Sequence, residues 1–130
     1  QPIENLVKTS KFVANAVMLG DRRKFPIMMV VPNLDTLRAW ARRHNVRVDP
    51  ADAAALIGAE QVRAKMDREV LRPLADLAHF EVPKRIILLP EDFRVETGEL
   101  TPTLKVRRRA VEQNYREAIE AAYRSAEGGS

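Results

Sequence analysis

The feature that most constrains the fold is a pair of apolar runs separated by a short polar turn. Phe12–Leu19 (FVANAVML) and Phe25–Val31 (FPIMMVV) are rich in β-forming residues, and Gly20-Asp21 stands between them. Apolar runs of this length, bounded by turn residues, are typical of paired strands. The sequence therefore predicts a β-hairpin, and the nearly continuous apolar second run predicts burial on both faces of that strand.

Helical patterns flank this hairpin. Residues 2–7 begin with Pro2 and predict a short helix, because proline suits the first helical turn. Residues 34–44 carry apolar side chains at helical spacing and predict an amphipathic helix. Asp49 before Pro50 predicts a capped helix start, and Gly58 predicts where that short helix ends.

Two longer helices are expected in the rest of the chain. The first spans about Glu60 to Ala78 and should be kinked or split at Pro73. Its predicted core face comprises Val62, Met66, Val70, Leu74, Leu77 and Ala78. The second spans about Leu104 to Ala126, with residues 127–130 forming a disordered tail. Its predicted core face comprises Val111, Tyr115, Ala118, Ile119 and Ala122.

A third strand is predicted at Arg85–Leu89 (RIILL), between two prolines. Phe93–Glu96 suggests a short extended segment, and Thr97-Gly98 predicts a turn with positive φ at the glycine. A hairpin, several helices and a third strand returning beside the hairpin define an α+β domain. We therefore expect a small three-stranded sheet packed with helices.

Composition limits the classes of function. The 130 residues suit one domain, and no apolar run approaches the length of a membrane span. The absence of cysteine excludes disulfides and thiolate metal sites and fits a reducing cytoplasm. The net charge of +4 and the pI near 9.8 suit a basic surface that could meet ATP, CoA phosphates or the inner surface of an anionic membrane. Interspersed acidic residues favour a solvated surface over nucleic-acid binding.

Lys105 is the main candidate for chemistry. No Walker loop is present, and His44 and His79 lie at or near predicted helix ends, where surface or capping roles are typical. The stretch GELTPTLKVRRR places Lys105 after a turn and Pro102 and directly before a helix, where a lysine can be aimed at a phosphate or a carboxylate. A solvated lysine fits the same pattern, so the residues alone leave both readings open.

The remaining basic groups form two clusters. Arg22, Arg23 and Lys24 fall at the hairpin turn, and a run of three arginines follows Lys105. Three consecutive helical positions point in different directions, so this run cannot serve a single anion. A solvated hairpin tip and a solvated helix face are the simpler interpretations.

Three stretches resemble the long-chain fatty acyl-CoA synthetases, which are AMP-forming members of the adenylate-forming superfamily. They are QPIEN with SKFVANAVMLGDRRKFPIMMVVPN, then KRIILLPEDF, and then ETGELTPTLKVRR. They follow one another in the family's order and cover the chain nearly end to end. The resemblance implies the fold of the C-terminal domain of adenylate-forming enzymes, which agrees with the α+β prediction.

The resemblance also implies a reaction. The family activates a fatty acid with ATP and Mg²⁺ to an acyl-adenylate and then transfers the acyl group to coenzyme A. The small domain rotates between these two half-reactions. Lys105 falls at the family's catalytic lysine for the first half-reaction, and Gly98 and Pro102 would shape the loop that carries it.

The resemblance sets expectations for ligands and partners as well. Residues 1–126 would be the mobile lid domain, and the large N-terminal adenylation domain, which binds most of the ATP, Mg²⁺ and fatty acid, would be its partner. The fragment alone is expected to bind none of these tightly and to lack ligase activity. Candidate contacts to CoA or phosphate are Arg22, Arg23, Lys24, Arg107 and Arg108. Glu4 resembles a family position near the hinge-side loop, where a structural and a functional role both stay open.

Two other classes of function compete with this one. The pI and the arginine run suit a stand-alone basic module that binds an acidic partner or nucleic acid, which steep salt dependence would reveal. An exposed apolar face would suit a protein-docking module. A lid domain separated from its mate would expose such a face too, so a crystal dimer of it would say nothing about function.

Overall fold

The computed structural model describes residues 2–128 and has the predicted α+β architecture. Its helices are α1 (Pro2–Val7), α2 (Leu34–Arg43), α3 (Ala53–Gly58), α4 (Glu60–Leu71), α5 (Arg108–Asn114) and α6 (Arg116–Gly128). Its strands are β1 (Val13–Leu19), β2 (Ile27–Pro32) and β3 (Ile86–Leu88). The sheet order is β1-β2-β3, with β1 antiparallel and β3 parallel to the central strand. The predicted hairpin and the returning third strand are both confirmed.

The sheet separates two hydrophobic cores. Met28 and Val30 of β2 face a core shared with α1 to α4. Ile27, Met29 and Val31 of the same strand face a second core shared with α5 and α6. Every residue of β2 is buried, which confirms the prediction of burial on both faces. The sheet is therefore covered by helices on each side, and its edge at β1 is free to border a groove.

The start of α3 differs from the prediction. Asp49 does not cap the helix; its carboxylate accepts a hydrogen bond from the Ala51 amide at 3.0 Å and closes a local turn. Asp52 is the cap, since its extended backbone lets the side chain accept from the Ala55 amide at 3.1 Å. Two aspartates separated by two residues offer the same local signal, and the chain uses the second one.

The long helix predicted from Glu60 is shorter than expected. Helix α4 ends at Leu71, and Pro73 lies in a 3-10 turn that spans Arg72–Leu74. Proline lacks the amide that the α-helical ladder needs, so the predicted split at this position is confirmed. The predicted core face is buried as far as Leu74, beyond which Leu77 is half-buried and Ala78 is exposed.

The C-terminal helix begins later than predicted and is broken. Helix α5 starts at Arg108 and ends before Tyr115, and α6 then runs to Gly128. The break changes the buried face, so Ala118 is exposed and Tyr123 and Ala126 are buried in addition to the predicted Val111 and Ile119. Helix α6 also extends two residues past the predicted end of the folded part; residues 129–130 of the predicted tail lie outside the described residues.

The structure differs from the prediction at Phe93–Glu96 and agrees with it at His44. The segment predicted to be extended at Phe93–Glu96 turns at Val95, because the Gly98 amide donates to the Val95 carbonyl at 3.0 Å. His44 lies at the C-cap of α2, and its ring Nδ1 is 2.9 Å from the Trp40 carbonyl, which agrees with the predicted capping role. Across residues 2–128, no helix is long and apolar enough to cross a membrane.

Candidate active-site hairpin and groove

Lys105 lies on a small β-hairpin rather than on an irregular loop. Leu100 and Val106 form an antiparallel bridge, and the Thr101 amide donates to the Lys105 carbonyl at 2.8 Å. The Arg107 amide continues the pairing by donating to the Glu99 carbonyl at 2.8 Å. These bonds join the two arms of the hairpin on both sides of its tip, so the backbone at Lys105 has a fixed position.

The hairpin tip is a tight turn with one left-handed residue. The Leu104 amide donates to the Thr101 carbonyl at 2.8 Å, and Pro102 occupies the second turn position, which its fixed φ suits. Leu104 follows with a φ of +65°, which is a conformation that glycine or asparagine usually supplies in three-residue hairpin loops. Leu104 is also 69% exposed. Leu104, next to Lys105, is therefore exposed to water although it is apolar. It also adopts a left-handed backbone conformation although it is not glycine.

The backbone of Lys105 is held by local hydrogen bonds, whereas its side chain is exposed. Its amide donates to the Thr101 hydroxyl at 3.0 Å, and its carbonyl accepts from the Thr101 amide. Its side chain is exposed, with no ion pair found among the described residues. A lysine with an anchored backbone and a solvated ammonium can reach an anion without moving the chain that carries it.

Gly98 shapes the base of the hairpin rather than its tip. Its φ is +79°, so the positive φ expected there is present. The turn brings Glu99 under the hairpin, where its buried carboxylate accepts from the Arg94 amide at 3.3 Å and from the Asn114 side chain at 3.1 Å. Because Asn114 ends α5, this contact ties the hairpin base to the helix that follows it.

A groove of about 570 Å³ runs beside the hairpin, between α1 and the outer edge of β1. Lys8, Lys105 and Arg108 contribute cationic side chains to its wall, and Asn5 and Asn15 contribute amides. Glu4 is the carboxylate among its lining residues. Concave surfaces with an excess of one sign of charge attract ligands of the opposite sign. The groove therefore suits an anionic group, with Lys105 among its lining residues.

Arg108 and Glu4 form an ion pair among the residues that line the groove. The Arg108 Nη2 atom lies 2.7 Å from both carboxylate oxygens of Glu4. The Met18 amide donates to the same carboxylate at 2.7 Å. Glu4 is buried, whereas the Arg108 side chain is 42% exposed. Sequence reasoning placed Arg108 among the phosphate-contact candidates and missed this pairing, since the two residues are 104 positions apart.

The other basic candidates are not brought to this groove. Arg23 pairs with Glu120 of α6 and stacks over the Tyr123 ring at 4.2 Å. These contacts hold the tip of the β1–β2 hairpin against α6. Arg22 and Lys24 are exposed at the same tip, and Arg107 is exposed beside Arg108. None of these four residues lines the groove. The structure thus groups Lys105 with Arg108 and separates it from the β1–β2 tip.

Tyr123 of α6 anchors the β1–β2 tip. Its hydroxyl donates to the Phe25 carbonyl at 2.9 Å. Burial raises the pKa of Tyr123, and the carboxylates of Glu120 and Glu112 raise it further against the opposing effect of Arg23. The phenol is therefore neutral at physiological pH and remains a hydrogen-bond donor. This is a structural arrangement, and it gives Arg23 a packing role.

A further buried carboxylate lies in the other core. Glu69 accepts hydrogen bonds from Ser10 at 2.9 Å and Lys65 at 2.8 Å and pairs with Arg72 at 3.2 Å. Burial favours its neutral form, but these bonds and charges outweigh burial and leave the pKa of Glu69 below its ordinary value. Over residues 2–128, His, Asp and Glu side chains do not gather in groups of three that could hold a metal ion.

Comparison with known proteins identifies the family. A family model described as the AMP-binding enzyme C-terminal domain matches residues 1–127, so the chain belongs to that family. This match confirms the family inferred from the three sequence stretches. It also agrees with the fold, in which a sheet, its helices and an exposed lysine hairpin form one small domain.

Individual relatives give a more detailed picture. A long-chain-fatty-acid–CoA ligase of Mycobacterium tuberculosis is 29% identical over 121 residues, which are 93% of this chain and 20% of that protein. Long-chain-fatty-acid–CoA ligase 1 of Homo sapiens is 31% identical over 126 residues, covering 95% of this chain and 18% of that protein. The chain thus spans about a fifth of the length of these curated relatives.

A solved structure shows the same fold. The A-PCP didomain of carboxylic acid reductase from Segniliparus rugosus, in complex with AMP, superposes with a TM-score of 0.73. The identity is 23%, and the match covers 95% of this chain and 16% of that one. A likeness at this identity establishes the architecture that holds the Lys105 hairpin.

Proposed function

We propose that this chain is the mobile C-terminal domain of an AMP-forming long-chain fatty acid–CoA ligase and that Lys105 serves the adenylation step. The observation that carries the proposal is the placement of Lys105. Its backbone is fixed in a hairpin that borders a cationic groove, while its side chain is exposed. The family membership and the ligase relatives support the same assignment.

The proposed chemistry needs a cation between two anions. In adenylation, a carboxylate oxygen of the fatty acid attacks the α-phosphorus of ATP, and pyrophosphate leaves. Both reactants are negatively charged and repel each other. The Lys105 ammonium would bridge the carboxylate and the phosphate, holding the attack geometry and offsetting the charge that develops in the transition state. The CoA thiol then attacks the acyl carbonyl, and AMP leaves.

Most of this site would be supplied by a large N-terminal adenylation domain. That partner would hold ATP, the fatty acid and Mg²⁺; the described residues of this chain do not fit a metal ion, so no step here is assigned to Mg²⁺. The groove beside Lys105 has the charge to approach the triphosphate. Because one lysine cannot assemble the substrates alone, the isolated chain is expected to have no ligase activity.

Rotation of the domain would separate the two half-reactions. In the adenylation orientation, the Lys105 hairpin faces the large domain; in the thioester-forming orientation, it turns away and CoA enters. Arg22, Arg23, Lys24 and Arg107 lie outside the groove, so any contact they make with CoA phosphates belongs to the second orientation. The proposed setting is the cytoplasm or the inner surface of the membrane, where fatty acids partition.

The test measures the two half-reactions separately in the protein that joins this chain to its adenylation domain. We expect Lys105→Ala to lower fatty-acid-dependent adenylate formation by roughly 10²- to 10³-fold, the loss typical when one preorganised charge-stabilising group is removed. CoA transfer from supplied acyl-adenylate should survive. Lys84→Ala is the matched control, since Lys84 lies over the Phe25 ring and does not line the groove.

Each outcome has a distinct meaning. Loss of adenylation with retained transfer supports both the role of Lys105 and the rotation. Equal loss of the two half-reactions would contradict the rotation, and retention of both would remove Lys105 from the mechanism. If the unmutated joined protein makes no acyl-CoA from any fatty acid, the assigned reaction is wrong.

A further inference from the structure

One ion pair connects the Lys105 hairpin to the rest of the groove. The Arg108 guanidinium donates to both oxygens of the Glu4 carboxylate, and its Nε donates to the Met18 carbonyl at 3.3 Å. The Met18 amide donates to Glu4 in return. A single carboxylate and a single guanidinium therefore join α1, the end of β1 and the first residue of α5.

The surroundings make this contact stronger than an ordinary surface pair. Exposed ion pairs contribute little because water and salt screen them. Glu4 is only 8% exposed, and its carboxylate accepts from a backbone amide as well as from the guanidinium. Charge-assisted bonds of 2.7 Å at a buried carboxylate hold their partners in a defined geometry.

The connection between Lys105 and Arg108 is short and hydrogen-bonded. Arg108 follows Lys105 by three residues, which span at most about 11 Å even when fully extended. The residues between them are paired to the opposite arm of the hairpin, Val106 with Leu100 and Arg107 with Glu99. A shift of Arg108 is therefore transmitted to the hairpin rather than absorbed by a flexible linker.

We infer that Glu4 and Arg108 are positioning residues, which fix the Lys105 hairpin against α1 and β1 so that the ammonium meets its substrates in one geometry. The inference rests on the proposed function of Lys105. It also gives Arg108 a role different from phosphate binding, because its guanidinium is committed to Glu4 and Met18. Neither Glu4 nor Arg108 is assigned contact with the reacting atoms.

The experiment uses the joined protein and follows adenylation rate against substrate affinity. Arg108→Ala and Glu4→Ala should each lower the adenylation kcat by about 10²-fold, the loss expected when a reacting group is misplaced by about 1 Å. The KM for CoA should stay within about twofold of wild type. Arg108→Lys keeps a cation that can reach Glu4 and should recover most of the rate. Arg116→Ala, which removes an exposed arginine from the first position of α6, is the matched control.

A double-variant cycle separates positioning from general stability. With Lys105→Ala already present, Arg108→Ala should cause no further loss of adenylation, because the group it positions is gone. A merely structural defect would lower the rate by the same factor in both backgrounds, and that result would overturn the inference. A raised KM for CoA with an unchanged adenylation kcat would also overturn it, in favour of phosphate contact.

Two controls keep the outcome decisive. Urea midpoints are measured for every variant, and if Arg108→Ala does not fold, Glu4→Gln, which removes the charge that Arg108 pairs with, carries the same comparison. If Lys105→Ala lowers adenylation but the Glu4 and Arg108 variants leave it unchanged, the positioning role is wrong while the proposed function stands. If Lys105→Ala has no effect, the proposed function fails, and the positioning role fails with it.

Discussion

Gly20 allows a quantitative test of the β1–β2 tip. Its φ is +120°, and a β-carbon placed on it would lie 2.7 Å from the Tyr123 hydroxyl and 2.9 Å from the Phe25 carbonyl. Those two atoms are hydrogen-bonded to each other, so neither can withdraw freely. We expect Gly20→Ala to disturb the backbone, the hydroxyl and the bond between them at once.

The magnitude follows from two contributions. A residue with a β-carbon forced to such a φ costs about 1–3 kcal/mol, and loss of a part-buried hydrogen bond adds about 1 kcal/mol. We therefore expect Gly20→Ala to lower the free energy of unfolding by about 3 kcal/mol, or the Tm by roughly 10 °C for a chain of this length. Gly98→Ala, at a φ of +79° with open space around it, should cost about 1 kcal/mol.

Chemical denaturation of the wild-type chain and the three variants at equal concentration provides the measurement. Gly58→Ala is the control, because Gly58 ends α3 with no positive φ and nothing near its added methyl group. Alanine there should leave stability unchanged or raise it by about 0.5 kcal/mol. A free energy of unfolding for Gly20→Ala within about 0.5 kcal/mol of wild type, the size of an ordinary surface substitution, would contradict the proposed clash at this tip. Equal effects of the three substitutions would contradict it as well.

Two further predictions concern charge. Glu69→Gln should lower the stability at pH 7 by about 2 kcal/mol, since it weakens hydrogen bonds to a charged group. Because the pKa of Glu69 is lowered in the folded chain, its contribution is complete above the ordinary value of 4.5 and is lost as the pH falls through the folded-state pKa. The difference in stability between wild type and Glu69→Gln should therefore shrink in acid, and a difference that widens would contradict this. Glu96→Gln, at an exposed position, is the control and should match wild type both at pH 7 and in acid. The chain should not bind generic duplex DNA at about 50 mM salt. Binding at that concentration that weakens steeply as salt is added would favour the alternative of a basic interaction module.

Local signals in the sequence account for most of the fold. The apolar runs of β1 and β2 and the proline at position 73 each act through their immediate neighbours, so their consequences are predictable. The break at Tyr115 carries no glycine or proline, and the periodic pattern continues across it. Helix α5 contacts β1 whereas α6 contacts β3, and this difference in packing is not visible in the sequence.

The candidate site was predictable in part. Lys105 stands out because it follows a turn and precedes a helix, and the family resemblance depends on the same residues. The hairpin around it was not predicted, since its left-handed residue is Leu104 rather than glycine and its two arms are short. The contact between Glu4 and Arg108 joins opposite ends of the chain, so no local pattern could indicate it.

Fatty-acid-dependent exchange of pyrophosphate into ATP isolates the step assigned to Lys105, because it reports adenylation without CoA transfer. The measurement compares wild type with Lys105→Ala in the protein that joins this chain to its adenylation domain. We expect exchange to fall by at least about 10²-fold in Lys105→Ala while CoA transfer from supplied acyl-adenylate continues. Exchange that stays within about twofold of wild type, less than 0.5 kcal/mol of barrier, would contradict the role assigned to Lys105.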